Sequence, residues 1–447
     1  MDNVDDQPRL PPELVDYVLD YLHDDKTTLI ACASVSKSWV DSSRYHLFST
    51  INFTLETPFC IGKLIRFLKD VQVNHYIRNF SIIQDHSVSS ILHFPRYPSF
   101  CPIHHLPLLL PSLPSLRCLT VTSAFVTCDC TEDTIEAHNR GPHITHNLKE
   151  LSISNAIGNT VDVLGILNNF ASIDVLSVWR PVISLSAHRR TLPLNTSLAR
   201  ELQVRSFKHF AVGVSMETYI LLRSSPSVDT LHTLKVALDD SLEMDSFMKL
   251  VAKCTNLRAL DITPIVNSPH PSFRPAQERA LEAWSELDFK HCTNLHSFSL
   301  RIFPFVYEPE NPRAETSSAR YCRMISLALL QLPYQTKHVV LGIHIPPFDL
   351  IRETFRRLYD WELILRALNG LLELERVDVE LQCHCGVDVD EVACRCFEAA
   401  AVIVRERMAS VWSRKRGSVL RVADMVAMGA NRRLGYKIES WAVRSLT

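Results

Sequence analysis

Four cysteines and one histidine lie within fourteen residues, in the segments Cys383-His384-Cys385 and Cys394-x-Cys396. Thiolates and imidazoles in this number are sufficient for a tetrahedral zinc site. Structural zinc sites usually place two or more residues between paired cysteines, however, whereas one residue separates each pair here. The spacing therefore favours ordinary thiols at a strand end and a helix start. We predict no metal or cofactor, and Cys383, Cys385, Cys394 and Cys396 are the alternative as zinc ligands.

Catalytic motifs are almost absent from the sequence. Cys128-x-Cys130 lies beside Asp129 and Glu132, but it offers fewer metal donors than the first cluster. The chain has no glycine-rich phosphate loop, HExxH or GxSxG motif, and it contains only eleven glycines. Its histidines and acids show no spacing that a hydrolase or transferase needs. We therefore predict a non-catalytic protein, since an enzyme would have to assemble its site from residues distant in sequence.

The first fifty residues contain three helix patterns, of which the first begins at Pro12. Proline is tolerated there because the first-turn amides of a helix have no partner inside it. Apolar residues at four-residue spacing then form one stripe along this helix, with two tyrosines beside it: Leu14, Val18 and Leu22, with Tyr17 and Tyr21.

Two shorter helix patterns follow. Asp24-Asp25 offers a carboxylate cap to a second helix over 28–34, which carries Leu29. Ser36 can cap a third helix, which carries Trp39. Three short helices this apolar cannot hide all their faces from water alone, so the pattern indicates a small docking module that needs a partner.

These residues resemble an F-box, the motif by which substrate receptors attach to the Skp adaptor of a cullin-RING ubiquitin ligase. The matching letters are Leu10-Pro11-x-Glu13-Leu14, then Val18 and Leu22, and finally Val35-x-Lys37-x-Trp39. The resemblance covers about one ninth of the chain and implies a domain over residues 8–50. It also implies a set of adaptor contacts: Leu10, Pro11, Pro12, Glu13, Leu14, Leu29, Val35 and Trp39.

The size and charge of the chain restrict its function class. With 447 residues it exceeds what one hydrophobic core usually holds, which favours a small module followed by a large domain. A formal charge of −2 argues against nucleic-acid binding by the whole protein. Residues 400–447 differ, because ten basic against three acidic residues give a local charge of +7. The aromatics within 405–437, Trp412 and Tyr436, are too sparse for a base-stacking platform, so this basic tail is interpreted as a solvated surface.

Cysteine usage and the N-terminus indicate a compartment. Thirteen scattered cysteines, an odd number, occur in a chain too large to need disulfides. The segment Met1-Asp2-Asn3 is acidic and lacks the basic-then-apolar order of a signal peptide. No apolar run approaches the roughly twenty residues of a membrane span. We therefore expect no membrane association and a reducing compartment, the cytoplasm or the nucleus.

Beyond residue 50 an apolar pattern repeats along the chain. An apolar residue is followed by two free positions, a second apolar residue, one free position and a third apolar residue. Successive copies lie 25 to 38 residues apart, and the shortest steps are typical of leucine-rich repeats. The copies are Ile77-Phe80-Ile82, Leu116-Leu119-Val121, Leu148-Leu151-Ile153, Ile173-Leu176-Val178, Leu231-Leu234-Val236, Leu257-Leu260-Ile262 and Leu295-Phe298-Leu300, with weaker copies at Leu202-x-Val204, Val339-x-Leu341 and Val377-x-Val379.

Helix patterns occupy segments between the copies, at 161–170, 244–251 and 276–289, and a longer one covers 388–413. One strand-and-helix unit cannot bury its own apolar face, so stacking of several units is expected. The predicted fold class is α/β: an N-terminal three-helix F-box followed by an irregular leucine-rich-repeat-like solenoid of parallel strands alternating with helices. An ordinary α/β domain is the alternative.

The predicted organisation resembles fungal F-box proteins with divergent leucine-rich regions. It assigns 51–387 to a target-recognition domain and 388–447 to a helical cap with a basic tail. Regular leucine-rich repeats place Asn or Cys three residues beyond the last apolar position, where the side chain bonds along a ladder of turns. Because other residues stand there, we expect the ladder to be missing: Ala124, Ala156, Pro181, Phe207, Asp239, Ile265 and Phe303.

Proline-rich segments interrupt the repeats at 87–114, 264–275 and 304–312. Proline fixes its own torsion and removes a hydrogen-bond donor, so these segments are predicted to be loops or insertions. Inserted loops on one face of a solenoid are common recognition sites, although surface loops without a ligand fit equally well. The side chains suited to recognition are Tyr97, Phe100, His104 and His105.

Together with the resemblance, these features predict a substrate-recognition subunit of an SCF-type (Skp-cullin-F-box) E3 ubiquitin ligase. The first helices would bind the Skp adaptor of the cullin-RING ligase, and the repeat domain would bind an unknown target protein. Catalysis by proximity needs only positioning, so no catalytic residue is expected in this subunit. The alternatives are a leucine-rich-repeat scaffold without a ligase and a zinc- or nucleic-acid-binding protein.

Overall fold

The structure, a computed structural model, divides into two compact units, Met1–Leu202 and Gln203–Thr447. The boundary falls inside the segment predicted to be one repeat domain, and the N-terminal helices share a unit with the first strands. The residues that the structure describes are 10–54, 60–71, 73–83, 102–123, 125–126, 146–155, 157–158, 165–179, 182–183, 201–210, 215–238, 241–264, 288–301, 324–345, 359–383, 391–414, 418, 420–424 and 437–439.

The first unit begins with helices and continues into a parallel sheet. Its helices are α1 (Pro12–Tyr21), α2 (Lys26–Val35), α3 (Lys37–Phe48), α4 (Cys60–Val71) and α5 (Pro102–Leu109). Its strands are β1 (Thr50–Thr54), β2 (Asn79–Ile83), β3 (Cys118–Thr122), β4 (Phe125–Val126), β5 (His146–Ser154), β6 (Ile157–Gly158), β7 (Phe170–Trp179) and β8 (Val182–Ile183). Strands β1, β2, β3, β5 and β7 lie side by side in parallel, while β4, β6 and β8 form a second, small parallel sheet.

The second unit repeats the alternation of strand and helix. Its strands are β9 (Gln203–Phe210), β10 (Thr233–Leu238), β11 (Ala259–Pro264), β12 (Ser297–Arg301), β13 (His338–Ile345), β14 (Arg376–Cys383), β15 (Leu420–Asp424) and β16 (Lys437–Glu439). Its helices are α6 (Ser215–Arg223), α7 (Ser227–Thr230), α8 (Ser241–Val251), α9 (Trp361–Gly370) and α10 (Glu391–Trp412), and residues 324–330 are also helical. Strands β9 to β15 pair in parallel in chain order, and β16 is antiparallel to β15.

The repeated apolar residues hold equivalent places in this architecture. Side chains alternate between the two faces of a strand, so residues two apart share a face. The middle residues of the copies are register partners in neighbouring strands and are buried: Phe80, Leu119, Leu151 and Leu176 in the first unit, and Leu234, Leu260, Phe298, Val339 and Val377 in the second. The fold is therefore α/β and solenoid-like, with an open sheet of parallel strands alternating with helices, as predicted.

Strand β9 is in a different register from the one expected. Leu234 of β10 pairs with Phe207, and Val236 pairs with His209. The middle apolar position of β9 is therefore Phe207, five residues beyond Leu202, which was predicted to hold it. The third apolar position is consequently occupied by a histidine, which has no exposed surface.

His209 lies in an aromatic cluster. Its ring centroid is 5.9 Å from those of both Phe207 and Tyr219, and its Nδ1 is 3.4 Å from the Tyr219 hydroxyl. Its Nε2 is buried and has no hydrogen-bond partner among the described residues. Burial lowers the pKa of His209 to about 4, because a charged imidazole has no water to solvate it.

This histidine predicts a loss of stability in mild acid. Between its unfolded pKa of about 6.5 and its folded pKa of about 4, only the unfolded chain takes up the proton, so the free energy of unfolding falls as the pH is lowered. We expect about 2 kcal/mol of this loss between pH 7 and pH 5, and none of it in His209→Phe. Urea denaturation at the two pH values measures the difference. The exposed His291→Gln is the control and should keep the wild-type pH dependence; an equal dependence in wild type and His209→Phe would contradict the prediction.

A ladder of side-chain amides runs along the loops that lead into strands β11 to β13. Each amide donates to a backbone carbonyl of the preceding repeat. The bonds are Asn256 Nδ2 to the Asp229 oxygen at 2.7 Å, Asn294 Nδ2 to the Thr255 oxygen at 3.0 Å, and Gln335 Nε2 to the Thr293 oxygen. The expected absence of a ladder concerned Asp239, Ile265 and Phe303, which lie outside the described residues, so that expectation stays untested for these repeats. The amides precede the strands instead of following them.

Removing one step of the ladder should have a measurable cost. Asn294→Ala deletes a side-chain hydrogen bond to the Thr255 carbonyl, and a typical bond of this kind contributes about 0.5 to 1.5 kcal/mol. We expect a decrease in the free energy of unfolding in that range by chemical denaturation. Asn369→Ala, at an exposed position of α9, is the matched control and should not destabilise the protein. Equal effects of the two substitutions would show that the ladder contributes nothing.

Two predicted elements differ from the structure. Part of the proline-rich segment is helical: α5 contains Pro107, and a 3₁₀ turn covers Leu110–Ser112. Pro102 opens α5, where a proline loses no hydrogen bond, and burial of Leu106 and Leu109 offsets the poor fit of Pro107. In the helix expected over 161–170, residues 161–164 lie outside the described residues and Gly165 is helical, but a 3₁₀ segment follows at Leu167–Asn169 and β7 begins at Phe170.

The other predicted segments either agree with the structure or lie outside the described residues. Helix α8 covers the pattern at 244–251, and α10 covers most of the pattern at 388–413. The segments 276–287, 265–275 and 304–312 lie outside the described residues, as do Tyr97 and Phe100. Among the helices that the structure describes, none combines the length and apolar character needed to span a membrane.

Candidate partner-binding surface

Helix α1 begins at Pro12, as predicted from the sequence. The carbonyl of Pro11 accepts hydrogen bonds from the backbone N–H groups of Leu14 and Val15, at 3.0 and 3.2 Å. Proline at the first helical position supplies no N–H of its own and needs no partner there. The first turn of α1 is therefore regularly hydrogen-bonded.

The predicted caps of α2 and α3 are confirmed. Asp25 accepts hydrogen bonds from the Thr28 hydroxyl at 2.6 Å and the Thr28 backbone N–H at 3.0 Å. These bonds stabilise the charged form and lower the pKa of the Asp25 carboxyl. Ser36 accepts from the backbone N–H of Ser38 at 3.3 Å. Both caps satisfy amides that a free helix end would leave open.

The three helices share a small apolar core. Its buried members are Val15, Leu19, Leu29 and Cys32, and partly buried Leu22, Trp39 and Leu47 pack against them. Helix α1 consequently carries two apolar stripes instead of the single predicted one. The inner stripe is Val15 and Leu19, which the sequence analysis did not single out.

Two polar contacts join the inner side of α1 to α3. Asp16 accepts a hydrogen bond from the hydroxyl of Ser42, and Asp20 lies 3.0 Å from Nε2 of His46. Asp16 and Asp20 are adjacent in sequence to Val15 and Leu19, so their contacts hold that side of α1 against α3. The other apolar stripe is left at the surface.

The exposed stripe and its neighbours form the candidate surface, called here the docking face. Leu14 is 51% exposed and Tyr21 is 85% exposed, although both are large apolar or aromatic side chains. Half of the large hydrophobic side chains that are exposed in the described structure belong to residues 10–35. A concentration of this kind is typical of a protein interaction site. The docking face consists of Leu10, Leu14, Tyr17, Val18, Tyr21, Ile30 and Val35.

Some of the residues predicted to contact an adaptor are exposed and others are buried. Five exposed residues lie at the start of α1, namely Leu10, Pro11, Pro12, Glu13 and Leu14. Val35, 68% exposed at the end of α2, is also accessible, and Trp39 is partly buried. Leu29 is completely buried, so it serves the core of the helices and cannot touch a partner without their opening. Tyr17, Tyr21 and Ile30 are accessible residues that were not among the predicted contacts.

A second polar cluster lies in the other unit, on the sheet face opposite the apolar triplets. The guanidinium of Arg301 on β12 contacts Asp261 of β11, and its Nε donates to Glu380 of β14 at 2.8 Å. Lys235 of β10 lies 3.1 Å from the same Asp261. Burial tends to lower the pKa of Arg301, but the two carboxylates raise it. This ion-pair network links four strands.

Gly342 makes the reach of Arg301 possible. It lies on β13, directly between Arg301 and Glu380 in the register of the sheet. A Cβ at this position would stand 2.8 Å from Cα and 2.9 Å from Cγ of Arg301. Only glycine therefore lets the arginine side chain cross one strand and bind the next.

A second group of paired charges lies on the same face of the sheet. Asp378, only 1% exposed, accepts hydrogen bonds from Arg376 at 2.7 and 2.8 Å and lies 3.3 Å from Nε2 of His338. Burial raises the pKa of Asp378, but the bonds to His338 and Arg376 outweigh it and lower that pKa to about 2. Carboxylates committed to arginines are poor bases, so the cluster is suited to holding strands together and not to acid–base chemistry.

The candidate zinc ligands are only partly described. Cys383 ends β14, Cys394 and Cys396 lie near the start of α10, and the side chains of all three fall outside the described residues. Cys385, Cys128 and Cys130 lie outside the description altogether. Within the described part of the chain, no three His, Cys, Asp or Glu side chains are grouped to hold a metal.

Comparison with known proteins does not identify a partner for this surface. The chain matches no protein-family model. It also matches no curated protein. The docking face must therefore be interpreted from its own residues and their exposure.

Proposed function

We propose that this protein is the substrate-recognition subunit of an SCF-type ubiquitin ligase, with α1 to α3 as an F-box that binds the Skp adaptor. One observation carries the proposal most directly: Leu14, within the motif Leu10-Pro11-x-Glu13-Leu14, is half exposed on a stripe of apolar side chains. Covering such a stripe with a second protein removes apolar surface from water at a gain of about 25 cal/mol per Å². Apolar anchors spaced along one face of a helix are a common means of docking that helix into a groove of a partner.

The division of labour follows from the two kinds of surface. The docking face attaches the protein to the adaptor and, through it, to the cullin-RING ligase. The stacked strands and helices within the units provide the surface for a target protein. Transfer of ubiquitin then depends on proximity, which requires positioning by this subunit but no acid, base or metal from it.

The free thiols are consistent with a protein that acts in a reducing compartment. Cys32, Cys254 and Cys292 are buried and unpaired, and Cys118 is an unpaired, partly buried thiol. Burial raises the pKa of Cys254 and of Cys292 to about 12, which keeps both as inert thiols in the core. We propose the cytoplasm or the nucleus as the site of action.

The test separates a ligase subunit from a repeat scaffold that binds a partner without ubiquitin transfer. The intact chain is captured from its own cells with the proteasome blocked, and the co-captured proteins are identified. A ligase subunit brings down the adaptor, a cullin and a ubiquitinated target whose half-life lengthens when this protein is deleted. A scaffold brings down a partner whose half-life does not change, and that result would contradict the proposal.

A further inference from the structure

The docking helices run into the sheet without a linker. Helix α3 ends at Phe48 and β1 begins at Thr50, so Ser49 alone separates them. The carbonyl of Ser49 accepts hydrogen bonds from the backbone N–H groups of Arg78 and Asn79, at 2.9 and 2.8 Å. The last turn of the docking module is thereby bonded to the next strand.

Ser49 has the same bonding pattern as the residues that precede the later strands. The carbonyl of Arg78 accepts from the backbone N–H groups of Arg117 and Cys118, at 2.7 and 2.9 Å. The carbonyl of Arg117 accepts in turn from Lys149 and Glu150, at 2.8 and 3.1 Å. The end of α3 is therefore the first step of the backbone ladder of the repeats.

Two side-chain contacts strengthen this connection. The hydroxyl of Tyr76 donates to Asp41 of α3 at 2.7 Å, and burial together with this bond raises the pKa of Tyr76. The guanidinium carbon of Arg78 lies 4.6 Å from the ring centroid of Tyr45 on α3, which is the geometry of a cation–π contact. Both contacts join α3 to the segment that leads into β2.

We propose that α1 to α3 form the N-terminal cap of the strand array and are held to it by a joint made of Ser49, Tyr76 and Arg78. Stacked repeats require a capping element at each end, because the outer face of the first repeat is otherwise open to water. The joint keeps the docking face at one angle to the strands. Its role in presenting a target to the ligase rests on the proposed function, whereas the capping role does not.

The joint is tested with the double substitution Tyr76→Phe and Arg78→Met in the full chain. Hydrogen exchange of the amides at positions 78 and 79, which bond to Ser49, should become about tenfold faster or more, as expected when about 1.4 kcal/mol of local stability is lost. The amides of Lys149 and Glu150, bonded in the same way two repeats further on, serve as the internal reference and should change less than threefold. Arg117→Met, at the equivalent position before β3, is the matched control variant and should leave the exchange of positions 78 and 79 unchanged.

A distance measurement tests the fixed angle. Labels at Ser34 on α2 and Lys149 on β5, both exposed, should give a narrow distance distribution in wild type and a broader one in the double variant. The proposed joint would be contradicted if the double variant changed neither amide exchange nor the label distance distribution. It would also be contradicted if exchange became equally faster at positions 78 and 79 and at positions 149 and 150. Neither measurement uses the adaptor. If the protein fails to bind the adaptor but shows the selective change, the proposed function is refuted and the capping role is supported.

Discussion

Leu14→Asp is expected to lower the affinity for the Skp adaptor by about 100-fold or more. Leu14 lies on the exposed stripe of α1 and makes no part of the buried helix core, which consists of Val15, Leu19, Leu29 and Cys32. A carboxylate at the centre of an apolar interface loses its hydration without gaining a partner, at a cost of several kcal/mol. One tenfold change in affinity corresponds to about 1.4 kcal/mol, so this penalty is enough to remove binding at micromolar concentrations.

The folding of the variant can be checked independently. Because Leu14 is half exposed in the free protein, its replacement should leave the free energy of unfolding within about 1 kcal/mol of wild type. Leu372→Asp, at an even more exposed leucine in the other unit, is the matched control and should not change adaptor binding. Full adaptor affinity in Leu14→Asp, with both variants folded, would show that the docking face is not the adaptor site.

Arg301→Met is expected to reduce the free energy of unfolding by about 3 to 4 kcal/mol. It leaves Glu380, a nearly buried carboxylate whose described partner is this arginine, without a counter-charge. Removing one partner of a buried ion pair costs more than the pair contributes, because the remaining charge stays desolvated. Asp261 is affected less, since Lys235 still lies 3.1 Å away from it.

Three comparisons identify the cause of this loss in urea denaturation. Lys249→Met, which breaks the exposed pair with Asp245, is the matched control and should cost no more than about 0.5 kcal/mol. The loss in Arg301→Met should persist at about 1 M salt, which screens exposed pairs far more than buried ones. Adding Glu380→Gln should recover part of it by removing the uncompensated charge. A loss no larger than that of Lys249→Met would contradict a buried network.

The strand positions could be predicted because burial imposes a local pattern. Each strand of the sheet hides alternate side chains, so the spacing of Leu119 and Val121 in β3, with Leu116 just before the strand, is visible without any tertiary information. The register of strand β9 was not predicted, because its third apolar position holds a histidine. Leu202 and Val204 offered a better pattern than the true residues Phe207 and His209, and only the pairing with β10 reveals the register.

The docking helices show what sequence periodicity leaves open. Two stripes on α1 are equally apolar, and spacing alone does not decide which one is buried. The contacts that accompany the buried stripe are long-range, because Ser42 and His46, the partners of Asp16 and Asp20, lie 26 residues further along the chain. The predicted stripe proved to be mainly the exposed one, which is the more useful outcome for a docking surface.

Contacts between distant repeats could not be predicted from the sequence. Arg301 lies 40 residues from Asp261 and 79 residues from Glu380 in the sequence, and the glycine that makes room for the arginine belongs to yet another strand. The amide ladder was missed for a related reason. It uses positions before the strands, whereas the search for it followed the positions after them. Both features depend on the stacking of repeats, which no single repeat encodes.

Calorimetric titration of the intact chain with recombinant Skp adaptor tests the central proposal most directly. The exposed docking face predicts a saturable one-to-one complex with a Kd below about 1 μM, accompanied by a negative heat-capacity change from burial of apolar surface. Absence of heat and of complex at about 100 μM adaptor, with the chain shown to be folded, would contradict the assignment of α1 to α3 as an F-box.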